Sequence, residues 1–266
     1  MAKIALLLSF LCFSLFAGSF QDYVKFRLEA NLKQSKLNPL DLKHSYVKEF
    51  LKNLAKRDVK LEQSSFWSPL DFNKQRSHYP IAFHVFKFDV VEDYDDFSDD
   101  DIYCYFFITN GVIPQGRVSA LYTELDEGES FLFSSEDRIL FPTHLSNDFV
   151  QDHIIIDYGV VESDGDDIAQ MQKLSGIIVD LAYAYYSQGG EVATLRNEVK
   201  ALLSLVATMD DDDRLTTGTI SLSVDQINAK LKKKSYVEWH QYFEGSQGWS
   251  DWAYRLHFRM IRGDIK

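Results

Sequence analysis

The sequence predicts a mainly β protein: an antiparallel β-sandwich that carries an inserted helical hairpin and follows a short N-terminal helical extension. Three observations predict it. Short apolar and aromatic runs recur between turn signals from residue 81 onward. The last of them alternates strictly, with Trp252, Tyr254, Leu256, Phe258 and Met260 on one face and Asp251, Ala253, Arg255, His257 and Arg259 on the other. That is the period of a half-buried antiparallel strand. Between these runs, residues 168–187 and 191–208 instead place apolar residues three or four apart, the period of a helix.

The chain opens on an export signal. Lys3 supplies a basic start, Ile4 to Phe16 is almost wholly apolar, and Ala17, Gly18 and Ser19 provide the small residues a signal peptidase accepts. Residues 1–19 therefore read as a cleaved signal peptide, since the apolar run falls short of the roughly 20 residues that span a bilayer. Cys12 leaves with it, and the residues before it lack the small side chain that precedes a lipidated cysteine. Cys104 is then the only cysteine, set in Tyr103-Cys104-Tyr105-Phe106, and reads as a small buried hydrophobe. A chain this long builds a core without disulfides. No later stretch predicts a membrane span, and the expected location is secreted, periplasmic or extracellular.

Residues 20–80 read as a helical extension and linker. Tyr23, Phe26, Leu28 and Leu32 form one stripe; Asn38-Pro39 breaks it; Asp41 caps a second helix with Leu42, Tyr46, Phe50 and Leu54. Residues 81–266 form the sandwich. Strands are predicted at 81–91, 102–108, 118–123, 131–133, 139–141, 153–161, 219–224 and 251–260. The hairpin is inserted at about 168–208, with Gly189-Gly190 as its turn and Val192, Leu195, Val199, Leu202 and Val206 as its apolar face. That face needs a partner, either the sandwich or the N-terminal helices.

Chemistry is carried by the acids. The formal net charge is −12. This argues against nucleic acid and anionic lipid, which call for basic patches. Fifteen of the 40 acidic residues fall in three segments: Glu92, Asp93, Asp95, Asp96, Asp99, Asp100 and Asp101; Glu162, Asp164, Asp166 and Asp167; and Asp210 to Asp213. Each segment adjoins a predicted strand end. Gathered at one end of a sandwich, these carboxylates would raise one another's pKa and destabilise the fold. A hard divalent cation relieves that crowding, and Ca²⁺ takes 6–8 oxygen ligands from such loops. None of the segments has EF-hand spacing.

These segments resemble the C2-domain family, an eight-stranded β-sandwich whose loops at one end bind Ca²⁺. Asp101-Ile102-Tyr103 resembles the family's step from an acidic loop into an aromatic strand. Ile154 to Ile168, containing Glu162-Ser163-Asp164-Gly165-Asp166-Asp167, resembles the strand and loop that supply further ligands. Asp210 to Leu215 followed by Thr219-Ile220-Ser221-Leu222 resembles the entry to the next strand, with the usual glycine displaced to Gly218. The resemblance implies a Ca²⁺ site formed by Asp93, Asp95, Asp99, Asp101, Glu162, Asp164, Asp166, Asp167, Asp211 and Asp213. The polybasic strand of membrane-binding members is absent.

No enzyme signature competes. The seven histidines show no HExxH or HxH spacing, and GxSxG, P-loop and Rossmann glycine patterns are missing. Glu124 and Asp126 read as a charged hairpin turn, although carboxylate pairs can serve glycosidases. His153 and Asp157 share one strand face and could reach a metal. The expected function is a secreted, non-enzymatic calcium-binding module that engages a protein, lipid or glycan surface. Two alternatives stand beside it. One is a carbohydrate-binding module using the C-terminal aromatics, with Trp239 and Trp249 the freer candidates among Trp239, Tyr242, Phe243, Trp249, Trp252 and Tyr254. The other is an enzyme whose site is unrecognised.

Overall fold

A computed structural model describes residues 19–33, 44–56, 76–92, 100–110, 114–141, 149–162, 168–187, 192–206, 216–247 and 250–263. Among these residues, ten strands form two five-stranded antiparallel sheets. The first joins β1 (Ile81–Glu92), β5 (Ser130–Leu132), β6 (Ile139–Phe141), β9 (Tyr236–Gln247) and β10 (Ser250–Arg262), in the order β5-β1-β10-β9 with β6 beside β5 on the free edge of β1. The second joins β2 (Asp100–Thr109), β3 (Pro114–Val118), β4 (Tyr122–Leu125), β7 (His153–Glu162) and β8 (Thr216–Ser223), in the order β3-β2-β7-β8 with β4 also on β2. The chain is thus a mainly β, two-sheet sandwich.

Side-chain parity explains how the sheets face each other. Along β1 the buried residues are Ile81, Phe83 and Val85, then Phe88 and Val90. The switch from odd to even needs one extra residue, and the β1–β10 register slips between Val85 and Lys87. The bulge keeps the apolar face inward and turns Phe86, Lys87 and Asp89 outward. On β10 the predicted alternation holds from Tyr254 onward: Tyr254, Leu256, Phe258 and Met260 are buried between the sheets, while Ala253, predicted outward, is buried as well.

The second sheet is covered on both faces. Ile102, Cys104, Phe106 and Ile108 of β2 enter the inter-sheet core, while Tyr103, Tyr105 and Phe107 enter a second core. That core is helical. It contains α1 (Phe20–Lys33), α2 (His44–Lys56), α4 (Ile168–Ser187) and α5 (Val192–Val206). β2 is therefore apolar from Ile102 to Ile108 because neither face meets water there, as in strands that carry helices on one side and a sheet on the other. The extension and the hairpin are not separate appendages. Together they form a third layer, and Leu195, Val199, Leu202 and Val206 are buried in it as the helical spacing requires. Phe26, assigned to the stripe of α1, is instead half exposed.

Some boundaries differ from expectation. The single strand predicted at 118–123 is two strands, β3 and β4, that run the same way along β2 and are interrupted at Ser119–Leu121, where the Ser119 side chain accepts from the Cys104 N–H in place of a ladder bond. β9 was not expected; its outward residues Glu238, His240, Tyr242 and Glu244 and inward Val237, Trp239 and Phe243 give it the same period as β10. Helix α6 (Val224–Leu231) opens with a capping box between Ser223 and Gln226. A four-residue turn, α3 (Ser135–Arg138), starts at Ser134. No helix among the described residues is long and apolar enough to cross a membrane.

Candidate functional site

The strand ends that flank the acidic segments lie side by side. Ile102 at the start of β2 pairs with Glu162 at the end of β7. Val160, two residues earlier, pairs with Thr216 at the start of β8. Asp100 pairs with Leu125 of β4, and the Val90 carbonyl near the end of β1 accepts from Gly128 N–H in the β4–β5 turn. The described strand ends that flank the three acidic segments therefore lie at one rim. Most of the candidate ligands, Asp93, Asp95, Asp99, Asp164, Asp166, Asp167, Asp211 and Asp213, lie outside the described residues, as does Trp249.

Two candidate ligands are described. Asp101 Oδ1 accepts from the Glu124 N–H at 3.1 Å. Glu124 has a left-handed φ of 59°, so this carboxylate fixes a strained backbone position at the rim. Its second oxygen, Oδ2, is the one a cation would take. Glu162 is buried, at 1% exposure, and strand alternation from Val160 puts it on the inter-sheet side. All these donors are hard oxygens, the set suited to Ca²⁺ and not to thiophilic metals. Among the described residues alone, no three His, Cys, Asp or Glu side chains converge on a metal position.

Asp157 and His153 do not form a metal pair. Asp157 faces the helical layer, where Arg196 of α5 grips both of its oxygens, Nη2 lying 2.6 Å from Oδ1. Thr219 Oγ1 donates to the same Oδ1 at 2.5 Å. Sequence spacing alone could not reveal this, because the partner lies 39 residues away in the inserted hairpin. His153 is held below the ordinary imidazole value, first by burial; Asp152 opposes that effect and Arg196 reinforces it.

Trp239 is turned inward. Its ring stacks on Phe258 at 6.0 Å and meets Phe83 edge-on at 6.3 Å. It packs against the inter-sheet core instead of standing free to receive a sugar. Cys104 is fully buried, and burial pushes its thiol far above the usual range, so it is no nucleophile.

The outer face of the first sheet carries a polar network that sequence reading missed. Asp89 accepts from Lys87 Nζ at 2.7 Å, lies 2.7 Å from His257 Nε2 and is 3.6 Å from Arg255. Burial alone would raise the Asp89 pKa, but the hydrogen bonds from Lys87 and His257 outweigh it and hold the carboxyl below its ordinary value. Arg259 pairs with Glu238 and lies over Phe86 at 4.6 Å. The cations here are matched by acids and aromatic rings, so the face is not a free basic patch. The parity switch in β1, visible as Val85-Phe86-Lys87-Phe88-Asp89, was the available signal.

No family model matches the chain, and no curated protein matches its sequence. Among solved structures, the chain is similar to the C2A domain of plant extended synaptotagmin 1, at 9% identity and a TM-score of 0.29, over 72% of this chain and 99% of that one. It is similar also to a chain solved in work on CC2D1B in mitotic reformation of the nuclear envelope, at 10% identity and a TM-score of 0.29, over 82% of this chain and 72% of that one. Neither likeness is deep enough to say what the chain does.

Proposed function

We propose that the chain is an exported, non-enzymatic binding module whose acidic rim takes up Ca²⁺ and presents it to a surface or partner. The observation that carries this reading is the pairing of Ile102 with Glu162 and of Val160 with Thr216, which sets the departure points of three acidic segments next to one another. Carboxylates crowded at one rim would repel each other, and a hard cation is the relief the donor set fits. Asp101 and Glu162 would hold it together with acids of the three segments. Export supports the reading, because weak carboxylate sites of about 10⁻⁴–10⁻³ M fill only in external calcium.

Thermal unfolding in millimolar Ca²⁺ and in chelator tests it. A ligand at 100 times its Kd stabilises by roughly 2.7 kcal/mol, and Asp211→Asn with Asp213→Asn should abolish the gain. Equal melting temperatures with Ca²⁺ and with chelator would remove the reading.

A further inference from the structure

We propose that Glu198 is a receptor for the amino terminus created by signal cleavage: the α-ammonium of Phe20 forms a buried ion pair with it and locks α1 onto α5 within the helical layer. This rests on residues 1–19 being removed, as the exported reading requires. Helix α1 begins at Phe20, immediately after the Ala17-Gly18-Ser19 cleavage pattern. The Glu198 carboxylate of α5 accepts from Gln21 N–H at 3.0 Å, 177 residues away in sequence, and also from the Phe20 N–H. Glu198 and Phe20 are each 1% exposed. The nitrogen that cleavage would convert into an ammonium is thus already at a buried carboxylate.

The surroundings favour a cation. Glu198 forms no ion pair with Lys, Arg or His among the described residues. Asp22 and the Tyr185 phenol are the other titratable groups that act on it or feel its charge, and both are anionic when ionised. Burial, with Asp22 adding to it, raises the Glu198 pKa while the residue lacks a cation. In the uncleaved chain, Ser19 caps α1. Its Oγ accepts from Asp22 N–H at 3.2 Å, its own N–H donates to Asp22 Oδ2 at 3.2 Å, and its carbonyl accepts from Tyr23 N–H. Cleavage removes that cap and frees the Asp22 carboxylate. Hydrolysis of the Ser19–Phe20 bond adds one water, leaving a carboxylate on the leader and an amino group on Phe20. That group is charged at neutral pH, its ordinary pKa being about 7.7–8.0. The helix dipole opposes a cation at this end with about half a charge; two carboxylates outweigh it. Phe20 packs against Tyr185 and Tyr23, with ring centroids 5.5 and 6.4 Å away, and so shields the pair from water.

The secreted full chain supplies the test. Mass spectrometry should give Phe20 as its first residue, and an amine-acylating reagent at neutral pH should modify its α-amino group at least tenfold more slowly in the native state than in urea. A form with one extra residue before Phe20 should have an unfolding equilibrium constant at least tenfold larger. In a Glu198→Gln background, the same extension should change it less than twofold. A retained leader overturns the exported reading and this inference together. A Phe20 terminus with an unprotected amine, or an extension effect that is the same with Glu198 and with Gln, overturns this inference alone. If Glu198→Gln does not fold, the acylation rates of the unaltered chain decide.

Discussion

Arg196 is the residue whose loss should separate the helical layer from the sheets. It reaches from α5 to Asp157 in the middle of β7. The Asp157 side chain is only 4% exposed and that of Arg196 13%. Arg196→Met removes the guanidinium but keeps an apolar stem of similar reach. Among the described residues Asp157 then retains the Thr219 hydroxyl alone, an uncompensated charge in a nearly dry setting. Breaking a buried pair in this way costs about 3–5 kcal/mol. For a chain of this size each kcal/mol lowers Tm by about 2–4 °C, so a fall on the order of 6–20 °C is expected.

The control is the double variant Asp157→Leu with Arg196→Met. It replaces the pair by apolar groups and should recover most of the loss, because the penalty lies in the stranded charge more than in the absent attraction. Thermal unfolding followed by near-ultraviolet circular dichroism reads both layers through their tyrosines. The reasoning fails if Arg196→Met costs less than about 1 kcal/mol, the range of an exposed pair, or if the double variant is no more stable than the single one.

Three further outcomes follow from packing and charge. Gly218→Val should destabilise by more than the roughly 1–3 kcal/mol of ordinary overpacking, since a Cβ there falls 2.2 Å from the ring of the cross-strand Tyr158; urea denaturation measures it, and Tyr158→Ala in the same chain should relieve part of the loss. Trp239→Ala should cost stability near the low end of the roughly 3–5 kcal/mol typical of buried aromatics and leave retention on insoluble glycans unchanged, with denaturation and pull-down as the two measurements. His84 and His153 both have lowered pKa values, His84 by burial and then by Arg138 and Arg259. They protonate first in the unfolded chain, so stability falls as pH drops below about 6.5 toward their folded values; urea midpoints at pH 7.5 and 5.5 should differ less when both are replaced by Asn.

The β-sandwich was legible where one physical demand acted on each residue. β10 alternates because one face is core and the other meets solvent, and from Tyr254 to Met260 its residues keep that division in the fold, while Ala253, predicted outward, is buried. β9 was not legible. Its inward set mixes Val237, Trp239 and Phe243 with Gln241 and Gly245, and its outward Tyr236 and Tyr242 blur the contrast. Gly245 is there because the Trp252 ring occupies the space of its Cβ, a cross-strand constraint that no single strand displays. Gly218 is similar: its place in the sequence resembled a loop-exit glycine, yet what requires it is the Tyr158 ring.

The site divides along the same line. That the acidic segments share a rim followed from strand order, which local periodicity could suggest once the flanking strands were recognised. What the neighbouring groups do to each carboxylate did not follow, because it depends on contacts distant in sequence. Asp157 looked like a metal ligand on its strand face and is instead matched by Arg196. Asp101 sits in the most acidic segment and spends one oxygen on Glu124. Glu198 carried no motif, and only the docking of α1 against α5 brings it to Phe20. A carboxylate's role here is set by the charge it meets. The rim is where the sequence concentrates its acids, and that concentration is the ground for a divalent ion there and not at the well-matched face around Asp89.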